Sequence, residues 1–230
     1  MTSALIGELL PFAVAMAISP MFVIVVVLIL VSDGARAKGL AFVGGRILGV
    51  ALILGVVSAV FLAIGGHHVA HEGPPSPTAS IIRMLVGVAL IVLAARMFRN
   101  RPKPGEEPPP SALMRRVDGL TAPRAFVMGL LLSFLDPASL SLGFVAGLDL
   151  AEAGVPLAAS LAIAVGFVLI ATVTVTVPLV IYLVGGSAAE AKLGDVKTWL
   201  VTNEKTVMMV LFLIIGVVMI SRGIRALGLA

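Results

Sequence analysis

Residues 4–31 read ALIGELLPFAVAMAISPMFVIVVVLILV, and this stretch decides the fold. It contains one charged residue, Glu8, and at about 1.5 Å per helical residue it can cross a hydrocarbon layer of about 30 Å. Ser19 and Pro20 lie inside it. Proline removes a backbone hydrogen bond from a helix, whereas serine followed by proline favours the start of a new one. The stretch therefore predicts a membrane-spanning helix that is broken near its middle.

The rest of the chain has the same character. Of its 230 residues, 60% are hydrophobic and 12% are charged, whereas soluble domains are about 45–50% apolar and about 25% charged. The sequence predicts an all-α integral membrane protein with six transmembrane helices. We assign these helices to the apolar runs Ala4–Val31, Gly39–Gly65, Ala79–Phe98, Pro123–Leu148, Pro156–Gly185 and Val207–Ile220.

Several classes of protein are excluded by what the sequence lacks. It has no cysteine, which excludes disulfide frameworks and thiolate metal sites. Its net charge of +4 comes from basic residues at the ends of apolar runs, which indicates membrane orientation and no nucleic acid partner. It has no Walker A, dinucleotide-binding or serine-nucleophile motif. We expect no enzyme activity and no cofactor, and any transport should use an ion gradient or the substrate's own gradient.

Basic residues predict the orientation, because lysine and arginine near helix ends stay cytoplasmic. The first, third and fifth loops with their flanking helix ends carry Arg36, Lys38, Arg46, Arg96, Arg99, Arg101, Lys103, Arg115, Arg116, Arg124, Lys192, Lys197 and Lys205. The opposite side carries Arg83, Arg222 and Arg225. We predict a multi-pass protein of the plasma (inner) membrane with both termini outside the cytoplasm.

The chain divides into two halves that resemble each other. Residues 1–98 form the first group of three helices and 123–230 the second, joined by a Pro-rich, charged cytoplasmic linker over 99–122. Shifted by 117 residues, Ile18-Ser19-Pro20 lies over Leu135-Asp136-Pro137, and Gly49–Ile53 lies over Gly166–Ile170. With a further 12-residue shift, Gly87–Ile91 lies over Gly216–Ile220. Three helices per half make this an inverted repeat, which is typical of secondary transporters.

The charges support the inversion. Arg36 and Lys38 lie in the first loop, whereas its counterpart, the fourth loop, carries Asp149 and Glu152 and no basic residue. We also predict a cytoplasmic interfacial helix near 187–203, where apolar residues recur at helical spacing beside charged ones.

The two proline breaks are the candidate substrate site. Ser19-Pro20 breaks the first helix and Asp136-Pro137 the fourth, and Ser139 lies in the turn that follows the second break. In inverted halves the two new helix N-termini would face each other near the midplane, where their positive ends suit a phosphate, sulfate or carboxylate. The alternative is a proline kink needed only for packing.

Two charged residues near these breaks could add to the chemistry. Asp136 lies deep within a span, so it is either a proton-coupling group or an N-cap. Arg46 lies within Gly45-Arg-Ile-Leu-Gly49, whose small-xxx-small spacing permits close helix approach. Arg46 would hold an anionic head group, pair with Asp136, or extend to the cytoplasmic interface.

Further polar residues carry weaker predictions. Thr172 and Thr176 share a face of the fifth helix and would either line a polar path or bond to backbone carbonyls. Glu8 and Arg83 would form either a gate pair at the outer ends of their helices or a plain surface contact. The second loop holds His67, His68 and His71, which we interpret as exposed residues and not as metal ligands.

Ala17-Ile18-Ser19-Pro20, with the long valine and leucine run after it, resembles the Gap/Sap family of glycopeptidolipid- and sulfolipid-addressing proteins, within the broader lysine-exporter superfamily. The resemblance extends over essentially the whole chain, including the charged Pro-rich linker and the second proline break. It implies export or flipping of envelope glycolipids across the plasma membrane. The family usually has asparagine where this chain has Asp136 and often tryptophan where it has Arg46, and it implies no catalytic residues.

We predict a secondary transporter or flippase for an anionic envelope lipid or glycolipid. The alternatives are an exporter of a small polar solute, such as an amino acid or a cation, and a non-transporting scaffold of a lipid-export machine. A cavity closed to lipid would favour the solute, whereas a lateral opening between helices would favour the lipid. Expected partners are membrane lipids, the anionic substrate, and a second copy of the chain or envelope lipid-export machinery.

Overall fold

The structure, a computed structural model, describes residues 2–63, 77–99, 119–185 and 187–227. These residues form helices and short connections, with no strand among them. The helices are α1 (Thr2–Ala17), α2 (Pro20–Leu30), α3 (Ala35–Ala63), α4 (Pro77–Arg99), α5 (Ala122–Leu135), α6 (Pro137–Glu152), α7 (Leu157–Ala171), α8 (Val173–Gly185) and α9 (Ser187–Ala226).

These helices supply six candidate membrane spans. Each of α3, α4 and α9 contains a continuous stretch that is long and apolar enough to cross a membrane. The other helices form three bent pairs, α1–α2 at 51°, α5–α6 at 71° and α7–α8 at 63°, and each pair passes as one broken span. The predicted six-helix membrane fold, with breaks in the first and fourth spans, is confirmed.

The break in the fifth span, between α7 and α8, was not predicted. It lies at Thr172, at the start of an alternating TVTVTV run over 172–177, whose β-branched side chains are stiff and lower helix propensity. Pro178, inside α8, has no N–H to offer the carbonyl one turn earlier. The run is apolar enough to pass as a continuous span, which is why periodicity alone did not reveal the break.

Small residues allow α3 and α5 to cross closely. A Cβ atom added at Gly45 would lie 2.0 Å from the Phe126 carbonyl oxygen, and one added at Gly129 would lie 2.2 Å from that of Phe42. Gly49 packs in the same way against Ser133. The close approach predicted from Gly45 and Gly49 is confirmed, and it brings Arg46 beside the break of the fourth span.

The third and sixth spans, α4 and α9, also meet at glycines. A Cβ atom at Gly87 would meet Gly216 and Ile220, and one at Gly216 would meet Gly87 and Ile91. This reciprocal contact is what the sequence repeat leads us to expect. In contrast, α3 is unbroken although the span predicted to correspond to it is broken at Thr172. The inverted repeat therefore stays a prediction.

The core surrounds α2, whose residues Val25–Leu30 are all buried. They pack with Phe42 and Val43 of α3 and with Leu179 of α8. A second apolar cluster joins α1, α6 and α7 with α4 and α9. The two breaks at Ser19 and Asp136 consequently lie inside the molecule, and both residues are buried.

The structure differs from the prediction near 187–203, and it does not describe most of the linker or the histidine loop. The structure has one continuous helix of 40 residues, α9, where we predicted an interfacial helix near 187–203 followed by a separate last span. At about 1.5 Å per residue this helix is about 60 Å long, well beyond the thickness of a hydrocarbon layer. Most of the linker and His67, His68 and His71 lie outside the described residues.

Candidate functional site

Arg46 lies between the first turns of two broken helices. Its guanidinium carbon is 3.6 Å from the ring centroid of Phe22, and its Nη2 donates to Ser139 Oγ at 2.9 Å. Phe22 is the third residue of α2 and Ser139 the third residue of α6, so the arginine contacts equivalent positions of both helices. Two helix N-termini and one guanidinium thus converge here, and each favours an anion; at α6 the Asp136 carboxylate already supplies one.

Asp136 caps one of these helices. Its Oδ2 accepts hydrogen bonds from the Ser139 N–H, at 3.0 Å, and from the Ser139 hydroxyl. Because Ser139 Oγ also accepts from Arg46, the serine bridges the guanidinium and the carboxylate. Pairing with Asp136 was one of the three alternatives for Arg46, and it takes this indirect form. The N-cap interpretation of Asp136 is confirmed by this geometry, and its role in proton coupling stays a prediction.

The other helix, α2, has no such cap. Ser19 is its N-cap residue, yet the Ser19 side chain makes no capping hydrogen bond. Ser19 Oγ and Arg46 Nη1 are both buried and have no hydrogen-bond partner among the described residues, and each residue is only 1% exposed. A buried polar group without a partner costs about 1–3 kcal/mol. Ser19 lies one turn before Phe22, the ring that Arg46 contacts, so both unpartnered atoms lie near the first turn of α2.

Aromatic and small side chains enclose the arginine. Phe42 lies one turn before Arg46 on α3, and its ring centroid is 6.4 Å from that of Phe22. Both rings are buried, and the cation–π contact with Phe22 stabilises a guanidinium that has left water. Arg46 is 1% exposed, so the alternative in which it extends to the interface is wrong.

The threonines of the fifth span stabilise its break. Thr172 Oγ1 donates to the Val168 carbonyl at 2.8 Å, and Thr176 Oγ1 donates to the Thr172 carbonyl at 2.9 Å. These bonds match the backbone-bonding alternative, so we leave both residues out of the candidate substrate site. Thr174 Oγ1 instead donates to the carbonyl of Ala17, the last residue of α1. The break of the fifth span therefore lies against that of the first.

The predicted Glu8–Arg83 pair is corrected by the structure. Arg83 Nε donates to Asp149 at 2.9 Å, and its Nη2 donates to Glu152 at 2.7 Å, so α4 is joined to α6. Among the described residues, Glu8 has no hydrogen bond or ion pair with Arg83. Glu8 is exposed. We call Arg83, Asp149 and Glu152 the ion cluster.

Two apolar grooves lie on the sides of α7. The larger, of about 760 Å³, runs between α3 and α7, and we call it the lateral groove. The smaller, of about 390 Å³, lies between α1 and α7. Exposed side chains such as Leu161 and Leu169 form the rim of the lateral groove, so it opens to the side of the helix bundle.

Sequence reasoning found Ser19, Arg46, Asp136 and Ser139 but missed their neighbours. Phe22 is one apolar residue of a long run, and no local pattern in the sequence signals its contact with Arg46. Asp149 lies just beyond the apolar run that we assigned to the fourth helix, yet α6 continues past it and buries it. The sequence did hold a signal for the partner of Arg83. The fourth loop carries acidic residues and no basic one, and a buried acid needs a cation from elsewhere in the chain.

The described residues contain no cluster of three His, Cys, Asp or Glu suited to a metal ion.

One comparison with known proteins gave a match. The family described as Sap, sulfolipid-1-addressing protein, matches residues 9–225 of this chain. No curated protein and no solved structure matches it. The matched residues include both helix ends at Arg46, the ion cluster and α7.

Proposed function

Because this chain belongs to the Sap family of sulfolipid-1-addressing proteins, we propose that it is a secondary transporter or flippase that moves an anionic envelope lipid across the plasma membrane. The head group binds at Arg46, between the N-termini of α2 and α6. A proton gradient is the proposed driving force, with Asp136 as the coupling group.

The observation that carries this proposal is the position of Arg46. One guanidinium contacts the first turns of both broken helices, while its Nη1 and the nearby Ser19 Oγ are buried without partners among the described residues. In hydrocarbon such donors need a partner, and the oxygens of an anionic head group are suitable partners for each of them. A packing kink alone does not require an arginine at this place.

The lateral groove supports a lipid substrate over a small solute. A soluble amino acid or cation needs an enclosed, polar path, whereas the groove has apolar walls and opens between α3 and α7. Its two serines already donate to backbone carbonyls, Ser58 to Gly147 and Ser160 to Val155. The groove thus offers an apolar surface to lipid chains and little to a polar solute.

The ion cluster is the proposed outer gate, in place of the Glu8–Arg83 pair. It joins α4 of the first half to α6 of the second, and it lies on the side predicted to be extracytoplasmic. Opening towards that side would require these ion pairs to break or exchange partners. Their burial makes such an exchange costly unless the substrate compensates for it.

The test is lipid movement in proteoliposomes that contain only this protein. We would follow fluorescent (NBD) phosphatidylglycerol and phosphatidylcholine by quenching from outside, with and without a proton gradient, and radiolabelled amino acids in parallel. We expect movement of the anionic lipid, reduced about tenfold or more in Arg46→Gln, because a hydrogen bond to a charged group contributes about 1.5–3 kcal/mol. Arg46→Lys should lie between the two, since it keeps the charge but loses the planar fork.

The other outcomes separate the alternatives. Amino acid uptake without lipid movement would favour a solute exporter. No movement of either would favour a scaffold that acts within a larger lipid-export machine.

The proposed orientation is testable because the chain has no cysteine. Two exposed residues can each be replaced by a single cysteine: Ser3, in α1, and Asp33, between α2 and α3. In intact spheroplasts we expect a membrane-impermeant maleimide to label Ser3→Cys at once and Asp33→Cys only after permeabilisation. The reverse pattern would invert the predicted orientation.

A further inference from the structure

The lateral groove begins at the depth of the Arg46 site. Its wall includes Ile47, the residue after Arg46 on α3, and Val168, whose carbonyl accepts the Thr172 hydroxyl at the α7–α8 break. From Ile47 it follows α3 to Leu62, a distance of about 22 Å at about 1.5 Å per residue. This is longer than one leaflet of a hydrocarbon layer about 30 Å thick.

A lipid whose head group enters the Arg46 site brings its chains with it. Arg46, Ser19 and Ser139 are enclosed by protein, so a chain attached to the head must leave the site sideways. The lateral groove starts at that depth, has apolar walls and opens towards the lipid. The groove therefore offers the chain an apolar surface at the depth of the site, and the head group enters the site when the helices around Arg46 part, because none of these three residues lines the groove.

We propose that the lateral groove holds one acyl chain of the lipid whose anionic head group binds at Arg46, so that the chain follows the α3–α7 face while the head crosses the membrane. This inference rests on the proposed function, and it adds a second subsite that recognises hydrocarbon. Because lipid tails are as apolar as the groove, its contribution is to guide the chain and not to add much affinity.

A glycine provides the test. A Cβ atom at Gly55, in the groove wall, would have no atom within 4 Å, so Gly55→Leu projects into the groove without a backbone clash. Gly166, in the wall of the smaller groove on the other side of α7, is equally open, which makes Gly166→Leu the matched control. Both changes raise helix propensity, so the fold should be kept.

The experiment uses the full chain in proteoliposomes and two measurements. The first is the rate of NBD-phosphatidylglycerol movement. The second is cross-linking by phosphatidylglycerol that carries a photoactivatable diazirine in its acyl chain, with the labelled residues mapped by mass spectrometry. We expect Gly55→Leu to lower the rate about tenfold or more, because the leucine side chain occupies the space that the acyl chain needs. It should also remove cross-links to Ala51 and Leu161, while Gly166→Leu changes neither measurement.

Other results would overturn the proposal. Unchanged movement and cross-linking in Gly55→Leu would reject the groove, while a loss in Arg46→Gln alone would leave the head-group function standing. Equal losses in both leucine variants would indicate a general effect on the bundle. Phosphatidylcholine with the same photoactivatable chain is a further comparison. If it gives the same cross-links in the groove, and if Arg46→Gln does not change them, the groove is not linked to the Arg46 site. That result would also count against the anionic-lipid function.

Discussion

Asp136 combines a structural role with a proposed role in proton coupling, and one substitution separates them. Asparagine is about as good an N-cap as aspartate, so Asp136→Asn keeps an oxygen for the Ser139 N–H while it removes the titratable carboxyl. We expect this variant to keep the cap, to lose some stability because the buried Arg46 guanidinium loses its negative partner, and to lose the dependence of transport on a proton gradient. Transport rates across a series of imposed pH differences measure this.

Asp136→Ala is the comparison for the cap at the same residue. Both variants remove the charge, but this one also removes the hydrogen bond, so its free energy of unfolding should lie below that of Asp136→Asn by about 0.5–2 kcal/mol. If Asp136→Asn transports with the same pH dependence as the unchanged chain, Asp136 has no part in proton coupling and is only a cap.

At the scale of helices, the position of Arg46 depends on the crossing of α3 and α5. Gly45→Ala would put a Cβ atom 2.0 Å from the Phe126 carbonyl oxygen, so the helices must separate. The neighbouring Gly44→Ala would meet nothing closer than 3.8 Å. Both changes gain similar helix propensity, so the difference in stability between the two variants measures the effect of the α3–α5 crossing alone. We expect Gly45→Ala to be the less stable by about 1–3 kcal/mol, measured by reversible unfolding in mixed micelles. Equal midpoints would mean that the crossing is looser than described.

At the scale of the whole molecule, the ion cluster joins the two halves. Arg83→Met leaves the Asp149 and Glu152 carboxylates without their bonded cation, and breaking a buried pair in this way costs about 3–5 kcal/mol. We expect a large loss of thermal stability in detergent, partly recovered in Arg83→Met/Asp149→Leu, where one stranded carboxylate is gone. The control is Arg225→Met, because Arg225 is exposed on α9 and should change stability by no more than about 0.5 kcal/mol. Similar losses of stability in Arg83→Met and Arg225→Met would show that removing any positive charge destabilises the protein, and that the ion cluster has no special role.

The sequence was sufficient for the membrane fold because its signals are local. Long apolar runs determine that six spans are needed, and Ser19-Pro20 and Asp136-Pro137 break two of them through the missing proline N–H. Gly45 and Gly49 indicated a close helix approach by their spacing alone. The break at Thr172 was missed because the TVTVTV run is apolar enough to pass as part of a continuous span. The contact beside the break, in which the Ala17 carbonyl of α1 accepts the Thr174 hydroxyl, has no signal in the sequence.

Contacts between distant residues were decided only by the tertiary structure. Arg46 was a candidate from its place in an apolar helix, but its position over Phe22 and beside Ser139 follows from the α3–α5 crossing and from the burial of α2. The partners of Arg83 likewise depend on how far α6 extends. Hydropathy and proline chemistry act within a few residues along the chain, so the sequence by itself determined the spans and two of their breaks. Packing between helices joins residues that are far apart in the chain, 93 positions in Arg46–Ser139 and 157 in Ala17–Thr174, and therefore only the folded chain decided which charges and helix ends share a site.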